Sequence, residues 1–107
     1  AAVLGSGSSI PYCASKAALN NLTVAMARAL APKIRVNGVA PGFIAGRWLE
    51  QGLGKADDRV KAAHEERLPL GRVCQPEDIA NAVRFLVSER ASYITGEKIN
   101  VYGGGQA

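Results

Sequence analysis

Between Pro11 and about Ala31 the apolar residues come almost without a break. Leu19, Leu22, Met26 and Leu30 supply bulk, and Ala14, Ala17, Ala18, Ala25, Ala27 and Ala29 keep the segment slim. This pattern predicts one long helix. Pro11 fits its first turn, Ser8 or Ser9 can cap it, and Pro32 stops it. So slim a helix lets another backbone approach closely, and tight packing against a sheet or a partner helix is expected. Next comes Ile34-Arg35-Val36-Asn37-Gly38-Val39-Ala40, a strand-like run ended by Pro41-Gly42. A second helix opens at Gln75-Pro76-Glu77-Asp78, with proline in its first turn and two acids complementing its dipole. Ile79, Val83, Leu86 and Val87 form its apolar stripe, suited to a core or a subunit interface. A loop through Ser92-Tyr93-Ile94-Thr95-Gly96 leads into a final short strand, Lys98-Ile99-Asn100-Val101, which Gly103-Gly104-Gly105 ends. The stretch from about Phe43 to Leu70 is less regular, with a helical patch from about Ala56 to Arg67.

Helix followed by strand, twice over, is the signature of an α/β protein. Two strands are too few for a stable parallel sheet, so further strands are expected upstream of Ala1. A chain that begins at Ala1 rather than Met reads as a piece of something longer, and no repeat, linker or second domain divides it. Residues 1–107 are therefore expected to form one part of a single domain. The irregular stretch after the first strand is where open α/β folds place binding loops. Trp48, within it, suits a substrate-pocket wall and a simple loop anchor equally well.

Composition removes several function classes. With 48% hydrophobic and 21% charged residues, the chain is an ordinary soluble globular sequence. The net charge of +4 comes from scattered lysines and arginines with no aromatic interleaving, so no nucleic-acid partner is expected. No apolar stretch approaches the ~20 residues of a membrane span, and no signal-peptide pattern opens the chain. Cys13 and Cys74 form no Cys-x-x-Cys pair and read as reduced thiols of a cytoplasmic protein. His64, the only histidine, sits among charges on a solvated helix face, so no metal site is expected.

The candidate chemistry lies in Tyr12-Cys13-Ala14-Ser15-Lys16. On a helix, residues four apart share a face. A free phenol has a pKa of about 10 and is a poor proton donor near pH 7. An ammonium about 4 Å away, at an effective dielectric near 20, favours the phenolate by roughly 4 kcal/mol before screening. That is enough to draw the phenol toward neutrality, where a group serves carbonyl/alcohol chemistry as a general acid or base. Alone, the pair reads equally as an amphipathic tyrosine beside a solvated lysine.

Four segments in order give it a setting. Tyr12-Cys13-Ala14-Ser15-Lys16-Ala17-Ala18, Arg35 through Gly42, Leu70-Gly71-Arg72 with Gln75 through Ala80, and Tyr93 through Gly104 together resemble the C-terminal half of a short-chain dehydrogenase/reductase. The resemblance implies the C-terminal part of a Rossmann-like doubly wound parallel sheet. It also implies hydride transfer between NAD or NADP and a small-molecule carbonyl or alcohol substrate. Tyr12 would exchange the proton on the substrate oxygen. Lys16 would lower the Tyr12 pKa and hydrogen-bond the nicotinamide ribose. Pro41 and Gly42 would let the backbone pass close to the nicotinamide, and the Ile44 backbone would bond its carboxamide. The two helices beginning near Pro11 and Pro76 would build a homodimer or homotetramer. The alternative is a non-catalytic fragment or assembly subunit of the same family.

The sequence also departs from that pattern. Gly46 stands where many relatives carry a threonine, and Tyr102 stands where an aspartate is common. The family's active-site serine and asparagine, and its glycine-rich phosphate turn, are expected upstream; Ser6, Ser8 and Ser9 lie too close to Tyr12 to take the serine's place. Gly5-Ser6-Gly7-Ser8-Ser9 lacks the spacing of a phosphate loop and reads as a substrate-side loop.

Overall fold

The structure, a computed structural model, describes residues 5, 9–42, 44, 59, 62–63 and 65–104 of the 107-residue chain. They fall into two compact units, one within residues 1–38 and 88–99 and the other within residues 39–87 and 100–106.

In the first unit, helix α1 spans Ile10–Leu30. Ser9 caps it: its hydroxyl accepts the Tyr12 N–H at 3.3 Å, and its carbonyl accepts the Cys13 N–H at 2.9 Å. Pro11 lies in the first turn, as the sequence predicts. The helix gives way at Ala31, which is extended, as a residue preceding proline prefers. Ala27 is its one buried residue. Cys13, Lys16, Asn20 and Thr23 recur on the same side and are half-buried. The bulky Leu19, Leu22, Met26 and Leu30 remain exposed.

What seats α1 is a turn at Gly96. This residue has φ +76°, and a Cβ there would lie 3.5 Å from the Ala27 Cβ. A short 3-10 turn, Glu89–Ala91, precedes it and buries Ala91 completely. Residues 35–37 are tied to this segment chiefly through side chains. Arg35 donates from Nη1 to the Ile94 carbonyl at 3.2 Å and from Nη2 to the Ser88 carbonyl at 3.3 Å. The Val36 N–H donates to Thr95 Oγ1 at 3.0 Å, and the Gly96 N–H to the Val36 carbonyl at 2.7 Å. The Asn37 amide does both jobs, donating from Nδ2 to the Ile94 carbonyl at 2.9 Å and accepting the Glu97 N–H on Oδ1 at 3.0 Å.

Only beyond this cluster does a backbone ladder begin. Strand β1 is Gly38–Pro41 and strand β2 is Lys98–Val101, and they pair as a two-stranded sheet. The Gly38 N–H bonds the Glu97 carbonyl at 2.8 Å, and four residues further along both strands the Gly42 N–H bonds the Val101 carbonyl at 3.0 Å. That constant offset makes the pair parallel. β2 matches its predicted bounds. β1 starts four residues later than the run from Ile34 suggests, because the left-handed turn at Gly96 puts the opposing backbone out of step and side chains bridge the mismatch.

In the second unit, helix α2 spans Pro76–Leu86. Its predicted stripe divides: Leu86 is buried and Ile79 half-buried, but Val83 and Val87 are exposed, and Val87 caps the helix rather than extending it. Val73 and Cys74, just before α2, are buried with Leu86. Described residues 59, 62–63 and 65–67 are helical, in the patch the sequence marks out. The Leu70 N–H bonds the Gly103 carbonyl at 3.2 Å, and Gly103 and Gly104 turn the chain with φ of 64° and 78° after β2.

The Asn37 amide carries one donor and one acceptor bond between segments about sixty positions apart in sequence. Asn37→Ala leaves the exposed Glu97 N–H to water and the half-buried Ile94 carbonyl with its Arg35 bond alone, and is expected to cost about 0.5–1.5 kcal/mol. Urea unfolding of the intact protein measures this. Asn37→Asp, which keeps only the acceptor, should fall between the two.

Candidate active site

Tyr12 and Lys16 lie one turn apart at the capped end of α1, so the helix alone brings them together. The Lys16 ammonium sits over the Tyr12 ring, 5.2 Å from its centroid, inside the reach of a cation–π contact. Tyr12 is 43% exposed and Lys16 half-buried, so the phenol is open to solvent while the lysine stem packs. The Ser15 hydroxyl folds back to donate to the Tyr12 carbonyl at 2.7 Å. Among the described residues the one ion pair is Arg72–Asp78, which leaves no carboxylate neutralising Lys16. Its ammonium donors are therefore suited to a ligand's hydroxyl oxygens.

Pro41, Gly42 and Ile44 belong to the second unit. Pro41 closes β1 and Gly42 continues its bonding by one step. Ile44 is half-buried and makes an isolated parallel bridge with Cys74. Beside them is a cavity of about 180 Å³. Leu68, Leu70, Val101 and Tyr102 give it apolar walls, and Arg72, Cys74 and Asp78 give it a polar end. Phe43, Gly46, Trp48, Gly52, Gly54 and His64 lie outside the described residues, as do Ser6, Ser8 and most of the expected lid. Among the described residues no group of three His, Cys, Asp or Glu side chains is placed to hold a metal ion, and no helix is long and apolar enough to cross a membrane.

Three features of this region go beyond what the sequence predicts. Arg72 and Asp78 form a two-pronged ion pair, at 2.7 Å from Nη1 to Oδ2 and 3.0 Å from Nη2 to Oδ1. The same carboxylate accepts the Gln75 N–H at 2.8 Å. The Gln75-x-x-Asp78 spacing ahead of an apolar run is a capping signal and pointed to this second role. Cys74 is buried at the cavity, and burial pushes its thiol up, with the Asp78 carboxylate adding and Arg72 opposing. Tyr102 faces the cavity half-buried, and nothing in a lone tyrosine after a strand announces that.

Residues 1–106 match the family model described as enoyl-(acyl carrier protein) reductase. The chain is 46% identical over 94 residues to the 3-oxoacyl-[acyl-carrier-protein] reductase FabG of Rickettsia felis, covering 87% of this chain and 37% of that protein. Its structure resembles that of a short-chain dehydrogenase/reductase, a glucose/ribitol dehydrogenase from Brucella melitensis, with a TM-score of 0.83 and 38% identity. That match covers 96% of this chain and 40% of the other. A small-chain dehydrogenase in complex with NADPH is similar at TM-score 0.76 and 36% identity, covering 87% of this chain and 41% of that one. So is a 4-hydroxyisoleucine dehydrogenase complexed with NADH, at TM-score 0.77 and 31% identity, covering 89% and 39%. The chain thus spans well under half the length of the proteins it matches.

Arg72's hydrogen bonds, then the Gln75 N–H, hold the Asp78 carboxyl at about 2, below its ordinary 3.8. The native state therefore binds fewer protons than the unfolded chain between these values. The resulting stability is fully present above about pH 4 and is lost as pH falls toward 2. Asp78→Asn should accordingly lower the unfolding temperature of the intact protein at pH 7, and the gap to wild type should narrow as the pH is taken from 5 to 2. A gap that stayed constant across that series would remove Asp78 as its source.

Proposed function

Because the chain belongs to the short-chain dehydrogenase/reductase family, we propose that it carries the proton-transfer and assembly half of an NAD- or NADP-dependent oxidoreductase acting on a small carbonyl or alcohol. The observation that supports this most directly is the Tyr12–Lys16 pair: an accessible phenol with an ammonium over its ring and no competing carboxylate among the described residues.

The residues fit a nicotinamide cofactor by their donor set, since the Lys16 ammonium suits the two hydroxyls of a ribose. Bound NADH or NADPH would supply the hydride that reduces the carbonyl carbon. Tyr12 holds its proton toward the carbonyl oxygen and gives it up as negative charge builds there, and solvent returns a proton to the phenolate. Lys16 would hydrogen-bond the ribose and so orient it. Pro41, Gly42 and Ile44 would offer the nicotinamide backbone rather than reactive side chains. In the oxidative direction Tyr12 receives the alcohol proton instead.

The exposed apolar face of α1 supports self-association. Leu19, Leu22, Met26 and Leu30 lie on the helix's open sides, and Val83 does so on α2. A surface helix of a monomer keeps its apolar residues on one packed stripe. A face this apolar is covered by another surface in the intact protein, and the cover proposed for it is a second copy of the chain, in a homodimer or homotetramer.

Tyr12→Phe in the intact protein should lower turnover by about 10²–10⁴-fold while cofactor binding, read by NADH or NADPH fluorescence, stays close to wild type. Undiminished turnover would end the proton-transfer role, and cofactor binding without turnover of any carbonyl or alcohol in the wild type would favour an assembly subunit. For association, light scattering at micromolar concentration should report a dimer or tetramer, and Leu22→Glu with Met26→Glu should reduce its mass. A wild-type monomer would refute the interface.

A further inference from the structure

Gly42 has an ordinary backbone conformation. Gly5, Gly71, Gly96, Gly103 and Gly104 are the described glycines in the left-handed region, and Gly42 is not among them. Its need for glycine is therefore a matter of room. A Cβ built on Gly42 would lie 2.7 Å from the Tyr102 Cβ and 3.0 Å from the Tyr102 Cα. Real Cβ atoms essentially never approach so closely, and because the neighbour is backbone and Cβ, no change of rotamer relieves the clash. Gly38, within β1, shows the contrast: the nearest atom to a Cβ on Gly38 is 3.8 Å away, an ordinary contact. Gly42 cannot easily retreat, because its N–H is held by the Val101 carbonyl at 3.0 Å, one residue before Tyr102. Tyr102 is held in turn, half-buried against the cavity between Val101 and Gly103.

We propose that Tyr102 is a positioning residue: its Cα and Cβ occupy the space left by the absent Gly42 side chain and so fix where the backbone at the end of β1 runs. Its consequence for cofactor binding rests on the reading above, in which Pro41 and Gly42 line the nicotinamide; the packing does not. Gly42 is then glycine because of its strand neighbour. The side of Gly42 that a side chain would occupy faces Tyr102 and has no space for a cofactor.

The test is a double-mutant cycle in the intact protein, by thermal unfolding without cofactor. Gly42→Ala should lower Tm by at least about 5 °C, against a change within about 2 °C for Gly38→Ala. In a Tyr102→Gly background, where the nearest obstructing atom is gone, Gly42→Ala should cost far less. If Gly42→Ala does not fold alone, a folded Gly42→Ala/Tyr102→Gly protein supports the contact, and a double variant that stays unfolded where Tyr102→Gly alone folds overturns it. A Gly42→Ala protein as stable as Gly38→Ala, or a loss that Tyr102→Gly leaves unchanged, also overturns it. Positioning is read separately by fluorescence titration with NADH and NADPH. Tyr102→Gly should weaken binding several-fold and Tyr102→Ala, which keeps the Cβ and loses the ring, should not; equal affinities of the Gly and Ala variants would overturn the positioning role. A wild type that binds neither nucleotide would defeat the proposed function instead, and the unfolding cycle would still decide the packing.

Discussion

Everything in the strand pair depends on how two segments some sixty residues apart find one register, and that register is set by side chains. Four ladder residues in each strand are a marginal sheet. Closing so long a loop must be offset by contacts made at the point of entry. The Asn37 amide and the Thr95 hydroxyl stand in for backbone groups where the Gly96 turn puts the two chains out of step, and Arg35 ties the same stretch at two further carbonyls. Once Gly38 reaches the Glu97 carbonyl, ordinary parallel bonding carries the pair to Gly42 and Val101. The Gly96 turn also receives Ala27 of α1, so the helix and the start of the ladder share one support.

This arrangement explains which parts of the fold were readable in the sequence. Both helix starts follow from local chemistry, Ser9 with Pro11 and Gln75-Pro76 with Asp78, and each was legible without knowledge of the tertiary structure. β2 was legible because glycines bracket it. The late start of β1 was not, because it reflects the conformation of Gly96, which no β-former near Val36 can report. The division of the α2 stripe is of the same kind. Periodicity places Ile79, Val83 and Leu86 on one face, but what covers that face at each turn is set by the rest of the protein.

The candidate site divides along the same line. Tyr12 and Lys16 need only one helical turn to meet, so their spacing was sufficient warning. Arg72 and Asp78 are six positions apart across a loop and a helix start, and only the capping half of that arrangement had a sequence signal. The approach of Gly42 to Tyr102 spans the whole crossover and left no local trace beyond a glycine beside a proline. Pro-Gly at a strand end reads as a turn or as clearance for a ligand; the structure supplies a third reason, a neighbouring strand passing at closest approach.

Where Tyr12 and Lys16 lie on α1 bears on how the pair could work. The packed side of the helix, through Cys13, Lys16, Asn20, Thr23 and Ala27, is lined with small and polar groups, while its large apolar residues face outward. Lys16 belongs to the packed side and Tyr12 to its border. The lysine is thus half-buried while the phenol stays within reach of a second molecule. A pair placed wholly on the open side would be solvated into indifference, and one placed wholly on the packed side would be closed to substrate. Its position at the edge follows from which face of α1 packs, the face that carries Ala27 against the Gly96 turn.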